Sequence, residues 1–263
     1  MLAGSVLDHY LPYVLHTVIH LGSFLCSSCS WSNQRKFYQP AMEFINSIVG
    51  KESVKEPPFE VILQRSTAKT PYELRKYGKR YAASVECANA NDTSTPFRAL
   101  ATYIGVFGKP QNEGSTSMAM TAPVVMEQKP TAIAMTAPVV MENESDGNMK
   151  KMMFILPEEY DDIAKIPKPT NTNVLIKEIP PEVGVVHRYN GRYNDKINRE
   201  KAKEMGMQLI SDGVPGITEE HVLENFQFWG YNPPYTIPRF RRNEVWLKLS
   251  DEQVKYLKEK IFE

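Results

Sequence analysis

Residues 119–127 read Ala-Met-Thr-Ala-Pro-Val-Val-Met-Glu, and residues 134–142 repeat the same nine residues. Two copies of this length do not make a solenoid, which needs at least three units of roughly 20–50 residues. Val124, Val125, Val139 and Val140 favour strand, while Pro123 and Pro138 each remove a backbone donor. The prolines therefore belong at a strand start, an edge or a bulge. The two copies, joined by residues 128–133, read as neighbouring strands of one sheet.

Outward from this motif the chain echoes itself at an offset of 102. Residues 72–77 lie over residues 174–179, and residues 81–85 over residues 183–187, without a gap. Each half reads as a strand, a short turn near Gly78 or Pro180-Pro181, and a second strand. A helix follows in both. In the first half Ser94 or Thr95 caps, Pro96 takes the first turn, and Phe97, Leu100, Ala101, Ile104 and Phe107 form an apolar stripe that ends at Gly108 and Pro110. In the second, Asn194 or Asp195 caps a thinner stripe of Ile197, Ala202, Met205 and Leu209, with Gly213 beyond its end.

Strands follow both helices: the doubled motif with residues 150–156, then residues 226–231 and 244–249. In the last of these, Val245, Leu247 and Leu249 face one side while Glu244, Trp246 and Lys248 face the other. A half of about 90 residues closes a core less readily alone than with its partner. The expectation is one α+β domain over residues 59–250. It is a strongly twisted antiparallel sheet or distorted barrel, made of two pseudo-repeated halves and flanked by two main helices. Residues 51–58, ending in Pro57-Pro58, read as a linker into it, and residues 251–263 as a helical tail.

The 31 Lys and Arg balance 31 Asp and Glu, so the chain lacks the basic excess of a nucleic-acid binder or of a strongly electrostatic membrane partner. Three cysteines, an odd number, make no disulfide framework, although a Cys26–Cys29 bridge stays open. A monomer in a reducing, cytoplasmic setting is the expectation, with a plastid or mitochondrion as the alternative.

Residues 1–50 read as an extension. Residues 11–25 are mostly apolar but interrupted by Pro12, His16, His20 and Gly22, short of the ~20 apolar residues a spanning helix needs. No Lys or Arg precedes Arg35, so the basic start of a secretory signal is missing, and an Arg-rich transit peptide is a poor match. His16 and His20 with Cys26 and Cys29 form a zinc-type inventory, but Pro12 disturbs the helix needed to present His9, His16 and His20 together, and no metal site is assigned. Acylation of Cys26 or Cys29, and peripheral membrane contact through this extension, stay open.

No motif for catalysis stands out. The sequence lacks a phosphate loop, a nucleophile elbow and a His-Glu-x-x-His pair. His187, on an expected strand, reads as a structural histidine, and His221 as the exposed first turn of a short helix. What does stand out is polarisable apolar surface. Met118, Met120, Met126, Met135 and Met141 sit on or beside the motif strands, where they serve either as core padding or as soft contacts for a flat ligand. Residues 229–238 are aromatic and proline-rich and lead to Arg239, Arg241 and Arg242. Those arginines read equally as a solvated hairpin or as the basic rim of an apolar wall.

The run Ser117-Met118-Ala119-Met120-Thr121-Ala122-Pro123-Val124 and its echo resemble the signature of the SOUL haem-binding protein family. The stretches 70–78, 153–160, 166–169 and 230–234 agree with it in order, as does Arg241-Arg242-Asn243-Glu244-Val245-Trp246-Leu247. The resemblance spans roughly residues 59–249, and the doubled motif looks most like microbial, plant or algal members.

The resemblance implies the same α+β arrangement and non-catalytic binding of haem or another tetrapyrrole, with the first helix and a late loop flanking a hydrophobic cleft. Carried onto this chain, it places Phe97, Leu100, Ala101 and Ile104 against the ring, and Tyr231 and Pro234 on the opposite wall. Arg98, Arg239 and Arg241 would take the propionates. The fold also resembles gyrase-inhibitor-like domains, some of which hydrolyse small molecules with a cleft glutamate and tyrosines. Glu244 with Tyr231 or Tyr193 would be the equivalent here. A third reading, an interaction protein, follows from some animal relatives.

Overall fold

The computed structural model describes residues 48, 50, 55–87, 92–128, 149–233 and 235–260, all within the unit Asn46–Glu263. In chain order these form β1 (Phe59–Arg65), β2 (Tyr72–Tyr77), β3 (Arg80–Glu86), helix α1 (Ser94–Ile104), β4 (Val124–Gln128) and β5 (Met149–Ile155). Then come β6 (Leu175–Ile179), β7 (Glu182–Tyr189), α2 (Asp195–Ser211), α3 (Glu219–Asn225), β8 (Gln227–Gly230), β9 (Asn243–Lys248) and α4 (Asp251–Lys260). The nine strands pair antiparallel throughout, in the order β1-β2-β7-β9-β8-β4-β5-β3-β6. The sheet is a curled half-barrel and the fold is α+β.

The pseudo-repeat is visible in the element ends. Tyr77 and Ile179 close β2 and β6, Arg80 and Glu182 open β3 and β7, and Gln128 and Gly230 close β4 and β8, each pair 102 residues apart. From the central β8–β4 pair the sheet runs outward as β8-β9-β7-β2 on one side and β4-β5-β3-β6 on the other. Each half thus lends its first strand to the other. β1, which has no counterpart, extends the β2 edge. At β5 and β9 the offset falls to 94, because the β4–β5 connection is the longer one. The first motif copy supplies β4, with Pro123 just ahead of it. β4 lies between β5 and β8, and the second copy lies outside the described residues.

Helix boundaries follow local chemistry, with two departures from the sequence reading. The α1 start is held by Asp92, two residues ahead of Ser94: its Oδ1 accepts from the backbone N–H of Ser94 and Thr95 and from the Ser94 hydroxyl. These donors hold the Asp92 carboxyl down at about 2. α1 also stops a turn early. Gly105 adopts φ 93° and closes the helix, its N–H donating to the Ala101 carbonyl, and Phe107 is left exposed. In α2 Asn194 caps as expected, accepting from Ile197 N–H at 2.8 Å.

Helices and sheet enclose one apolar cluster, which includes Leu74, Leu100, Ala101, Met205, Val245 and Leu247. The other face of the sheet carries a second cluster around Tyr77, Val125, Met153, Trp229, Tyr231 and Trp246. Residues 55–57 are tied to the domain. The Lys55 carbonyl accepts from Ala122 N–H, Glu56 takes both terminal nitrogens of Arg242, and Pro57 is buried.

Candidate functional site

Strand alternation builds the site. Along β9, Val245 and Leu247 point into the cluster beneath the helices, and Trp246 belongs to the opposite face. The same split holds on β5, with Met152 and Phe154 on the helix side and Met153 and Ile155 on the other. On that second face the Trp229 and Trp246 rings stack at 5.2 Å and 22°, and Tyr77 meets both edge-on at 5.3 and 5.4 Å. Gly184 makes room for this cluster: a Cβ there would lie 2.6 Å from the Trp246 ring and 2.5 Å from the Leu247 carbonyl oxygen.

A cavity of about 580 Å³ opens on this face. Its floor is Val125, Met153, Ile155, Ile179, Trp229 and Trp246. Its walls carry Arg80, Glu127, Lys177, Glu182 and Lys248. Nearly every strand residue lining it has the sheet parity of Trp246 or Trp229, which is why apolar floor and charged wall fall on one side. His221 and Asn225 of α3, and Ser250 and Gln253 at the start of α4, close one end.

The wall charges are largely matched. Arg80 Nη2 lies 2.5 Å from Glu182 Oε1, Lys248 approaches Glu182 at 4.0 Å, and Lys177 approaches Glu127 at 3.5 Å. Trp229 Nε1 donates to Gln227 Oε1 at 2.9 Å. By contrast, Trp246 Nε1 and Arg80 Nε are buried and have no acceptor among the described residues. His221 is half-buried, its Nδ1 3.4 Å from Asn225 Nδ2.

Glu244 lies outside this lining. Fully buried, it accepts from Arg75 Nη1 at 2.9 Å and Nη2 at 3.2 Å, from Arg242 Nε at 2.9 Å and from the Tyr231 hydroxyl at 2.8 Å. Burial, then the Glu244 charge, pushes the Tyr231 hydroxyl well up, so it remains a donor. Burial likewise pushes Tyr77 up to about 12. A glutamate with this many donors is the centre of a neutralised network and lacks the free oxygen of a general base.

None of the described residues picked from sequence lines the cavity. Leu100, Ala101 and Ile104 are packed in the cluster beneath the helices, and half-buried Phe97 meets Phe154 edge-on at 5.3 Å. Arg98 is exposed on α1. Tyr231 belongs to the opposite face, under the Arg242 guanidinium at 3.7 Å. Arg239 lies over Phe240, and Arg241 donates to the Thr236 carbonyl and lies over Tyr193. The structure therefore separates the α1 residues from Tyr231 by the thickness of the sheet. Pro234 lies outside the described residues, as do His9, His16, His20, Cys26 and Cys29. His187 is the structural histidine expected, its Nδ1 2.7 Å from the Pro71 carbonyl oxygen.

A family profile described as SOUL heme-binding protein matches residues 54–248. The chain belongs to the SOUL haem-binding family. Curated proteins yield no match. Among solved structures it is similar to the EcmrR C-terminal domain, at 13% identity over 72% of this chain and 99% of that one, TM-score 0.41. A hydrolase from Listeria innocua is similar at 12% identity over 70% and 93%, TM-score 0.40. SAV2435 bound to tetraphenylphosphonium is similar at 10% over 68% and 94%, TM-score 0.34. Among the described residues no helix is long and apolar enough to cross a membrane, and no group of three or more His, Cys, Asp or Glu could hold a metal ion.

The sequence reading missed Arg80, Lys177, Glu182 and His221 as cavity residues. The usable signal was the shared parity of Glu244, Trp246 and Lys248 on β9. On β9 that parity marks the face away from α1 and α2.

Proposed function

We propose that the cavity on the sheet face opposite α1 and α2 binds haem or a related tetrapyrrole, as a carrier or buffer with no chemistry of its own. The observation that carries this reading is a cavity of about 580 Å³ whose lining includes the stacked, buried Trp229–Trp246 pair. That volume falls within the ~300–1,000 Å³ usual for small-molecule sites. Membership of the SOUL family supports the same ligand class. Covering an apolar macrocycle removes surface from water at about 25 cal/mol per Å², which supplies affinity without directed bonds.

The tetrapyrrole is assigned here, and not between α1 and the loop after Tyr231, because Leu100, Ala101 and Ile104 already pack against their own core. Of the lining residues, His221 and Met153 carry side chains of the kind that hold haem iron. A hydrolytic reading through Glu244 is not supported, since Arg75, Arg242 and Tyr231 occupy its oxygens.

Titration of the full chain with haemin and with protoporphyrin IX tests the proposal, followed by the Soret band and by tryptophan emission. Saturation near one equivalent with quenched emission is expected, and Trp229→Ala should weaken both ligands at least tenfold. Absence of any saturable change with either ligand overturns it.

A further inference from the structure

We propose that the part of the cavity lined by Arg80 and Trp246 is a carboxylate subsite, so that the ligand binds with a charged edge turned inward. The inference rests on the tetrapyrrole reading and adds orientation to it. Two observations lead there. First, Arg80 Nε and Trp246 Nε1 are both buried N–H donors on cavity-lining residues, and neither has an acceptor among the described residues. Buried donors in folded proteins are nearly always paired, and these two orphans belong to residues of one cavity, where an acceptor can be supplied by a ligand. The two residues share a neighbour: the Arg80 guanidinium lies 4.8 Å from the Tyr77 ring centre, and that ring lies 5.4 Å from Trp246.

Second, the charges favour an anion. Arg80, Lys177 and Lys248 line the cavity against Glu127 and Glu182, which leaves one positive charge over. Glu182 engages Arg80 through Nη2, and Nε itself has no acceptor among the described residues. A carboxylate supplies the kind of acceptor these donors lack, and the charged bond to arginine is the stronger kind. A neutral ester keeps weak acceptors but loses the charge.

The test compares protoporphyrin IX with its dimethyl ester on the full chain, in the same dilute detergent, by quenching of tryptophan emission. Wild type should bind the diacid at least tenfold more tightly than the ester. Trp246→Phe keeps a ring and removes the Nε1 donor, and Arg80→Lys keeps the charge and removes Nε. Each should cut the diacid-to-ester preference at least threefold, whatever its effect on the ester alone. Equal binding of both probes by wild type overturns the subsite while leaving the tetrapyrrole reading intact. So does an unchanged preference in both variants, or a loss of preference in Arg239→Ala/Arg241→Ala instead. Binding of neither probe overturns the tetrapyrrole reading itself.

Discussion

Arg80 and Glu182 hold the same place in the two half-repeats, 102 residues apart, and they pair with each other at 2.5 Å. The exchange of first strands causes this: β2 pairs with β7 and β6 with β3, so the openings of β3 and β7 meet at one end of the sheet. The pair is nearly out of water, its side chains 8% and 10% exposed.

Removing either partner leaves a buried charge uncompensated, which costs about 3 kcal/mol. Arg80→Met and Glu182→Met should each lower the urea-unfolding free energy by roughly that amount. The double variant should lose clearly less than the sum, with a coupling of about 1–3 kcal/mol. Additive losses would show that the two side chains do not interact.

Glu244→Gln leaves Arg75 and Arg242 buried around a neutral amide, and Arg75 is 4% exposed. Stability should fall by about 3 kcal/mol. Porphyrin stoichiometry at temperatures well below the transition should not change, because Glu244 is not part of the cavity lining. Calorimetry with a parallel titration separates the two effects.

Gly184→Ala drives a methyl into the Trp246 indole and the Leu247 carbonyl, both at van der Waals-violating distances. Overpacking of this kind costs about 1–3 kcal/mol. Because the displaced ring is the cavity floor, near-ultraviolet dichroism of the tryptophans should change as well. Unchanged stability and spectrum would mean the floor yields easily.

His187 supplies a pH dependence. Burial pushes its pKa below the ordinary value of 6.5, partly offset by the bond to the Pro71 carbonyl. The folded chain keeps the ring neutral while the unfolded chain takes up a proton. Stability from this residue is therefore complete above about pH 6.5 and declines as pH falls below it. Unfolding free energies measured between pH 7.5 and 5.5 should converge toward those of His187→Gln by up to about 1.4 kcal/mol per pH unit. Parallel curves would show that His187 does not titrate differently on folding.

The elements of this fold were legible because each rests on neighbours in sequence. The 102-residue echo located β2, β3, β6 and β7, and the stripe of Ala202, Met205 and Leu209 located α2. Alternation along β9 places Val245 and Leu247 opposite Trp246, as the two clusters show. β1 went unread: Val61 and Leu63 signal a strand weakly, and the β1–β2 register shifts between those residues. The start of α1 was misplaced because Asp92 caps it from outside the expected Ser-Thr pair.

The site was another matter. The amphipathic stripe on α1 read equally well as a ligand wall or as core, and only the sheet packed against it made it core. Strand pairing decided the rest. Arg75 and Glu244 meet across 169 residues, and Trp229 meets Trp246 because β8 and β9 are neighbours. Periodicity along a chain specifies which face a residue takes, since that depends on backbone geometry alone. Which faces meet, and where space is left between them, depends on register between distant strands, and no local pattern encodes it.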